Sequence, residues 1–444
     1  MASAQSLAEI FEAQRNHQWI VRQSTSEQRK QKLLKLKEVV LKHAAAIGDA
    51  LQADLGRPVE SPMSFEAGVI IGDIDHTIAH LDEWLKPRPV TLTNPSPGAQ
   101  AFMQYEPRGV VLLFGAWNFP ISLLFTPMIP MIAAGNCVIA KPNEMAPACS
   151  KLVAQIVAEA FDPREITVVE GGVDLSNQLL ELPFDHIFLT GSPRVGKTVM
   201  AAAAKHLSSV TLELGGKCPA ILDATANLAA AIPQIGIGRT MNNGQTCLCA
   251  DYALVPKSMR SEFIEKLGAF ITATYYDNGV FKPERNARFV DRRNFDRVKG
   301  YLDDALKRGA KIAFGGGSDA EALTMEPTVL IDVPADALVM QEEIFGPLLP
   351  VVTYDDPSEV HGHIRGGGKP LALYVFSQDQ AFVDGVLRNT SSGGVSVNGW
   401  ALHWFEPALP FGGVNSSGSG RYHGEHGFRE VSHERAVYWA PAGA

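Results

Sequence analysis

Three segments of the chain carry side chains that could act together on a carbonyl group. Residues 241–249 read Met-Asn-Asn-Gly-Gln-Thr-Cys-Leu-Cys, so Cys247 follows a run of amide residues and glycine in which a reactive thiol can be accessible. Asn118 lies in Phe-Gly-Ala-Trp-Asn-Phe-Pro, and Glu213 lies in Leu-Glu-Leu-Gly-Gly-Lys. A thiol nucleophile, an amide donor and a carboxylate base are the groups that covalent carbonyl chemistry needs. We therefore expect an enzyme.

Each of these residues also has a purely structural interpretation. A free cysteine is most often a small buried hydrophobic residue, and Cys249 is expected to have that role, or to form a reversible oxidised pair with Cys247. Asn118 precedes Phe-Pro, where asparagine is a common turn residue. Glu213 is different, because an unpaired carboxylate inside the apolar strand 210–214 is costly unless it is neutralised or used. This misfit favours the chemical interpretation.

In their order along the chain, these segments resemble the NAD(P)-dependent aldehyde dehydrogenase family. Gly-Ala-Trp-Asn-Phe-Pro, Pro-Asn-Glu after Lys141 and Leu-Pro-Phe-Gly-Gly at 409–413 are similar to its class 3 branch, which takes aromatic and medium-chain aldehydes. The similarity runs from about residue 25 to about residue 430. It implies that Cys247 forms a thiohemiacetal and then a thioester, that Asn118 and the Cys247 N–H hold the oxyanion, and that Glu213 is the general base. An acylating or ester-hydrolysing enzyme using the same thiol, or a non-catalytic interaction protein, are alternatives.

The resemblance implies NAD and/or NADP as cofactor. Lys141 and Glu144 are then expected to hold the adenosine ribose, with Lys141 also able to face a 2′-phosphate. Glu343 is expected to bind the nicotinamide ribose, while Phe345 packs on the ring and Trp117 belongs to the same site. The alternatives are a surface turn at Lys141 and a strand end at Glu343.

Residues 191–198 read Gly-Ser-Pro-Arg-Val-Gly-Lys-Thr, which matches the phosphate-binding P-loop pattern. A P-loop ATPase is therefore an alternative outside the family, although Pro193 removes one N–H that such a loop would use. As a dehydrogenase, the chain would use Gly191, Ser192 and Gly196 to receive the dinucleotide pyrophosphate at a helix N-terminus.

The resemblance also implies a substrate tunnel lined mainly by apolar and aromatic side chains. Several of them could instead only pack the core, as aromatic residues usually do. Because no Arg or Lys is evident among them, a flat and uncharged aldehyde is favoured. The expected lining residues are Phe119, Leu123, Thr126, His403, Trp404, Phe405 and Phe411.

The elements that must position these residues can be predicted from apolar runs. Strands are expected at 109–114, 136–141, 166–170, 186–190 and 209–214, separated by helices. A capping box at Ser24 and Glu27 predicts one long helix as far as Leu51. The alternation predicts an α/β fold with two doubly wound parallel-sheet domains. The resemblance implies that these form an aldehyde dehydrogenase-like fold with an oligomerisation arm. The expected units are a Rossmann-type NAD(P)-binding domain of residues 1–86 and 104–215, a catalytic domain of 216–416, an arm of 87–103 and 431–444, and a return to the cofactor domain at 417–430.

Composition limits the partners and the compartment. The net charge of −9, with both signs mixed, argues against nucleic acid. Five scattered cysteines suggest a reducing, cytoplasmic location, and neither a secretory signal nor an apolar run long enough for a membrane is evident. No zinc-binding motif and no third clustered ligand accompany the closely spaced histidines, so we expect no metal. By family resemblance, the arm segments pair between subunits of a homodimer.

Overall fold

The computed structural model describes residues 6–59 and 63–441. The helices are α1 (Leu7–Arg22), α2 (Ser26–Lys42), α3 (Ala44–Leu55), α4 (Phe65–Trp84), α5 (Ser122–Ala134), α6 (Pro147–Ala160), α7 (Val173–Leu180), α8 (Pro193–Ala204), α9 (Leu228–Thr240), α10 (Arg260–Tyr275), α11 (Arg292–Lys307), α12 (Leu338–Gln341), α13 (Pro357–Gly366), α14 (Gln380–Asn389), α15 (Leu402–Phe405) and α16 (Gly424–Glu430). The strands are β1 (Arg88–Pro89), β2 (Gln100–Pro107), β3 (Val110–Phe114), β4 (Cys137–Lys141), β5 (Ile166–Val168), β6 (His186–Thr190), β7 (Ser209–Glu213), β8 (Pro219–Leu222), β9 (Tyr252–Pro256), β10 (Tyr276–Asp277), β11 (Val280–Phe281), β12 (Lys311–Phe314), β13 (Ser318–Asp319), β14 (Thr324–Met325), β15 (Thr328–Ile331), β16 (Leu348–Tyr354), β17 (Ala372–Phe376), β18 (Gly394–Val397), β19 (Gly418–Ser419) and β20 (Ser432–Trp439).

The first large sheet has the strand order β19-β7-β6-β3-β4-β5 and is parallel except at β19. Every residue of β3 is buried, as expected for a strand covered on both faces. Val111 and Leu113 pack into one core with α5 and α6, whereas Val110 and Leu112 pack into another with α1 and α8. The predicted doubly wound architecture is confirmed for this sheet, and its five parallel strands lie within two residues of their predicted bounds.

The second large sheet is formed by seven of the strands that follow residue 218. Its order is β12-β15-β16-β9-β8-β17-β18, and all pairs are parallel except that of β12 with β15. The chain enters this sheet between β7 and β8 and returns to the first sheet at β19. In that return, Gly418 is the register partner of Glu213. Both segments that connect the two large sheets therefore lie at the end of β7: one continues from Glu213, and the other pairs with it through Gly418.

A separate sheet of β1, β2 and β20 is formed by the two segments predicted to build an arm. Strands β2 and β20 are antiparallel over eight residue pairs, from Gln100 with Trp439 to Pro107 with Ser432. The arm sheet thus includes residues 104–107, which the sequence prediction assigns to the cofactor domain. Residues 442–444 of the predicted tail lie outside the described residues.

The N-terminal helices differ from the prediction in their boundaries. The capping box that starts α2 is formed by Thr25 and Gln28, one residue beyond the predicted pair. Ser24 instead donates its hydroxyl to the carbonyl of Val21 at 2.5 Å, at the end of α1. The predicted long helix is divided at His43 into α2 and α3. Helix α1 was not predicted.

Candidate active site

Cys247 follows a tight turn at the end of α9. The backbone is left-handed at Asn242 (φ 53°), Asn243 (φ 57°) and Gly244 (φ 72°), a region that asparagine and glycine tolerate better than branched residues. The turn is also held from outside, because Asn243 N–H donates to Asn286 Oδ1 at 3.0 Å. These contacts explain why the sequence before the cysteine reads Asn-Asn-Gly.

The Cys247 thiol lines the main cavity of the described chain and is partly buried. Burial raises the pKa of this thiol, and the nearby carboxyl groups of Glu343 and Glu213 raise it further. The carbonyl oxygen of Cys247 accepts a weak hydrogen bond from Cys218 Sγ at 3.5 Å. Because the thiol is protonated at neutral pH in this environment, a proton must leave Sγ before it can attack.

Glu213 lies at the carboxyl end of β7 and lines the same cavity. Its side chain is buried, and in residues 6–59 and 63–441 neither carboxyl oxygen has a hydrogen-bond partner. Burial, and secondarily the charge of Glu430, raises the pKa of Glu213 well above 4.5. A Cβ on Gly412 would lie 3.1 Å from Glu213 Oε1, so the chain approaches the carboxyl group closely. A buried carboxyl with a raised pKa next to a thiol has the properties of a proton carrier.

Asn118 lies in the loop after β3 and is brought against the nucleophile turn. Its Nδ2 donates to the backbone carbonyl of Gln245 at 3.1 Å, and its own carbonyl accepts from Asn242 Nδ2 at 2.9 Å. The structure therefore unites the segments of Asn118, Glu213 and Cys247, which are far apart in sequence.

Glu213 and Cys247 line one cavity, whose atom-free space is about 620 Å³ when the part open to solvent is counted, whereas Asn118 lies behind its wall beside Phe119. Predicted residues Phe119, Leu123, Trp404, Phe405 and Phe411 line it. Further lining residues that the sequence prediction did not include are Phe65, Ser122, Thr190, Leu214, Met241, Thr246, Leu248, Leu371, Trp400, Ala401 and Tyr422.

Two predicted pocket residues do not line this cavity. Thr126 is buried inside α5, where its hydroxyl donates to the carbonyl of Ser122 at 2.9 Å. His403 lies behind the wall, with Nδ1 2.8 Å from Ser396 Oγ and its ring stacked on Phe411. Both side chains therefore support the wall from outside the cavity.

Some of the missed lining residues had a signal in the sequence. Trp400 follows the carboxyl end of β18, the edge of a parallel sheet at which ligand sites collect. It donates from Nε1 to the carbonyl of Leu248 at 2.7 Å, next to the nucleophile turn. Phe65 had no such signal, because it begins α4 and reaches the cavity only through tertiary packing against Phe119 and Trp404.

The first sheet has a topological switch point between β3 and β6. From β3 the chain adds β4 and β5 on one side, and it then adds β6 and β7 on the other. Crevices at such points are where open α/β sheets bind nucleotides. Trp117 follows β3, and Gly191 and Ser192 follow β6, so these predicted cofactor residues lie at the expected edge.

The remaining candidates near this edge contact one another. Lys141 at the end of β4 forms an ion pair with Glu144, and the Trp117 and Phe345 rings are perpendicular with centroids 5.5 Å apart. Burial alone would raise the pKa of Glu144, but the hydrogen bond from Lys141 holds it below its usual value. These groups supply ribose partners and an aromatic surface, so the residues present fit a dinucleotide.

Helix α8 begins at the same edge. Ser192 caps it by accepting the N–H of Val195 at 3.4 Å, and Pro193 occupies its first position. Gly196 packs closely on Leu214, which directly follows β7, since a Cβ there would lie 3.1 Å from Leu214 Cδ2. Pro193 has no N–H, and the N–H groups of Val195 and Gly196 donate to Ser192, so it is mainly the dipole of this helix N-terminus that favours an anion.

Glu343 approaches the nucleophile from the second domain. Its Oε1 accepts the N–H of Gly216 at 3.1 Å, and burial, followed by the charge of Asp251, raises its pKa to about 8. A Cβ on Gly215 would overlap this carboxyl group, and one on Gly216 would lie 3.3 Å from the backbone of Pro370 and Leu371, so both glycines are closely packed. Glu343 therefore lies where the two large sheets meet.

The sequence was compared with models of known protein families. A model of the aldehyde dehydrogenase family matches residues 1–437. The chain belongs to the aldehyde dehydrogenase family. It is an NAD(P)-dependent aldehyde dehydrogenase, so the expected family, enzyme class and cofactor type are confirmed and the P-loop ATPase alternative is wrong.

Individual relatives cover nearly the whole dehydrogenase. It is 42% identical over 431 residues to the putative aldehyde dehydrogenase AldX of Bacillus subtilis, covering 97% of this chain and 96% of that protein. It is 41% identical to the dimeric NADP-preferring aldehyde dehydrogenase of Rattus norvegicus, covering 91% and 88% of the two chains. The solved structure of the substrate-bound state of Staphylococcus aureus AldH superposes with a TM-score of 0.93 at 35% identity, covering 99% of this chain and 95% of that one.

Two features were searched for within residues 6–59 and 63–441. No helix there has the length and apolar character needed to cross a bilayer. No group of three or more His, Cys, Asp or Glu side chains there is arranged to hold a metal ion.

Proposed function

We propose that this dehydrogenase oxidises aromatic or medium-chain apolar aldehydes to carboxylic acids, with Cys247, Asn118 and Glu213 as its catalytic residues. One observation carries the proposal: an apolar, aromatic cavity is lined by both a cysteine and a buried, unpaired carboxyl group. Neither feature is needed for folding, and an unpaired buried carboxyl group opposes it.

The chemistry of these residues begins with transfer of the Cys247 thiol proton to solvent water. Sγ then adds to the aldehyde carbon, and the carbonyl oxygen becomes an anion that accepts from Asn118 Nδ2 and the Cys247 N–H. A bound NAD or NADP would supply the acceptor for the hydride that leaves this carbon. The resulting thioester is attacked by a water from which Glu213 removes the proton, which releases the acid and returns the thiol.

For the cofactor, we propose Lys141 and Glu144 as partners of the adenosine ribose and Gly191, Ser192 and Gly196 as the pyrophosphate site. Glu343 would hold the nicotinamide ribose, with Phe345 and Trp117 beside the ring. These assignments rest on the switch point and on the edge at which the residues lie. Both NAD and NADP fit, because Lys141 can neutralise a 2′-phosphate whereas Glu144 can accept from a free hydroxyl.

The proposed substrate class rests on charge. Among the residues that the structure describes, no Lys or Arg lines the cavity. Arg57 lies behind its wall, where the guanidinium is 4.4 Å from the centroid of the Phe119 ring and is paired with Glu66. A substrate carboxylate would therefore be buried without a free cation, which favours uncharged aldehydes.

The proposal is tested by following reduction of NAD and NADP with a panel of benzaldehydes, cinnamaldehydes and straight-chain aldehydes. Cys247→Ala should abolish oxidation while leaving cofactor binding intact, because only the covalent step is lost. Residual turnover within about tenfold of the wild type would contradict the nucleophile assignment. Dependence on coenzyme A would instead identify the acylating alternative.

We further propose a homodimer assembled partly by strand addition. Strand β20 is the edge strand of the arm sheet, and its Trp439 and Tyr438 are 66% and 53% exposed. The rat relative is described as dimeric.

We also propose a reducing, cytoplasmic compartment. The five cysteines are unpaired, and four of them are buried, which supports this proposal.

The division into domains is proposed with the same bounds as above. The NAD(P)-binding domain would comprise residues 1–86 and 104–215, and the catalytic domain residues 216–416. The content of the two large sheets supports this division, and the arm sheet supports assigning 87–103 and 431–444 to a separate unit.

A further inference from the structure

A buried carboxylate holds the start of helix α5, which directly follows the Asn118 loop. Glu66, on α4, has no exposed surface, and its Oε2 accepts the N–H groups of Ile121 at 2.9 Å and Ser122 at 2.7 Å. Its Oε1 lies 2.5 Å from Arg57 Nη1. Both carboxylate oxygens are therefore engaged, and the first turn of α5 is fixed to α4.

Arg57 connects this carboxylate to the proposed oxyanion site. Its Nη2 donates to the backbone carbonyl of Asn118, and its Nε donates to Asn242 Oδ1 at 2.9 Å. The guanidinium also covers the face of Phe119. One planar group thus contacts the amide segment, the nucleophile turn and the pocket wall, which a lysine ammonium could not do simultaneously.

Asn242 completes the connection between the two segments. Its Nδ2 donates to the carbonyls of Asn118 at 2.9 Å and Gln245 at 3.2 Å. Asn118 and Cys247, which carry the two proposed oxyanion donors, are therefore cross-linked by side chains that do not line the cavity.

We infer that Arg57 and Glu66 are positioning residues that set the separation between the Asn118 amide and the Cys247 N–H. The inference rests on the proposed function, in which these two groups stabilise the oxyanion. Such donors act only when they are held at hydrogen-bond distance from the charge that develops in the transition state. Loosening them should lower kcat and leave KM and cofactor binding nearly unchanged.

Arg29 provides a matched control at the opposite end of the same helix. It is buried, and its Nη1 donates to the carbonyl of Ala133 at 3.0 Å, near the end of α5. Arg29→Met removes a guanidinium bonded to the end of α5, and Arg57→Met removes a partly buried one bonded to Glu66, which holds the start of α5, so both should lower the melting temperature. Only the first should change the oxyanion site.

The experiment compares these variants in the full-length enzyme, measuring kcat and KM for benzaldehyde, cofactor affinity and melting temperature. We expect Arg57→Met to lower kcat at least about tenfold, and Arg29→Met to change it less than about twofold. Arg57→Lys keeps the ion pair with Glu66 but loses the planar guanidinium that bonds to Asn118 and Asn242 at the same time. This variant should retain more thermal stability than Arg57→Met, with nearly the same loss of kcat.

A double variant tests whether Arg57 acts through Asn118. In an Asn118→Ala background, Arg57→Met should lower kcat by less than about threefold more, since the donor that it positions is already absent. Equal kcat losses for Arg57→Met and Arg29→Met, or full additivity with Asn118→Ala, would overturn the inference alone. An unchanged kcat for Asn118→Ala would overturn the oxyanion assignment in the proposed function, and the inference with it.

Discussion

Asn118 donates one side-chain N–H to the backbone carbonyl of Gln245 at 3.1 Å, two residues before Cys247. A carboxamide nitrogen carries two N–H groups, so this bond orients the amide while leaving a second donor for the substrate oxygen. The same contact ties the loop after β3 to the nucleophile turn. The proposed oxyanion site is therefore largely formed before the substrate arrives.

Replacing Asn118 with Ala should lower kcat by roughly a hundredfold or more, the usual cost of losing one oxyanion donor. Asn118→Asp should be at least as damaging, because a carboxylate would repel the developing negative charge. Steady-state rates with benzaldehyde measure both effects. A change confined to KM would count against this role.

Replacing Glu213 with Gln should separate acylation from hydrolysis. The variant should give a burst of NADH equal to the number of active sites and then stall, since the thioester forms but its water is not activated. Stopped-flow absorbance detects the burst. An absent burst would assign Glu213 to activation of the thiol, and full turnover would remove it from the mechanism.

The rate should rise as the pH is raised from neutral into the alkaline range. Burial raises the pKa of both Glu213 and Cys247, and each must lose a proton to act, so the active ionised forms appear only as pH increases. The pH profile of kcat/KM for the free enzyme reports these ionisations. In Glu213→Gln, the pH profile of the burst rate should show only the ionisation of the Cys247 thiol. A wild-type profile that falls over this range would show that neither proton has to leave.

Aromatic aldehydes should exceed succinic semialdehyde in kcat/KM by at least about tenfold, equivalent to about 1.4 kcal/mol. The reason is that no cation is among the described residues of the cavity lining and that Arg57 is paired with Glu66. Initial rates at low substrate concentration measure the ratio. If the semialdehyde is preferred, a further cation must line the site and the proposed substrate class is wrong.

Deleting residues 434–444 should weaken the homodimer. The deletion removes most of β20, whose partner β2 would then be left as an unpaired edge. Sedimentation at micromolar concentration compares the truncated and intact proteins. A monomeric intact protein would disprove the dimer proposal.

The strands could be predicted, and the candidate catalytic residues could be singled out, because their signals are local. Fully buried parallel strands such as β3 and β4 read as short apolar runs, and Cys247 and Glu213 stand out from their neighbours. Helix α1 was missed although Ser6 and Glu9 form a capping box that a search of the N-terminus would have found.

The supporting contacts could not be predicted, because they depend on packing between distant segments. Arg57 and Glu66 are more than fifty residues from Asn118 in sequence, and nothing in their local pattern indicates the loop that they hold. The orientation of His403 depends on Ala401, whose left-handed backbone (φ 54°) starts a helix of only four residues. No periodic pattern predicts which side of so short a helix meets the cavity.

The two passages of the chain between the large sheets meet at Glu213, which ends β7 and is paired in register with Gly418. Because both connections converge there, the proposed base is held by backbone from two directions. The same two parts of the chain are also hydrogen-bonded from Asn118 to Gln245 and from Arg288 to Leu55, and these bonds oppose any rotation about Glu213. The separation of the reacting groups is therefore set by the path of the backbone itself.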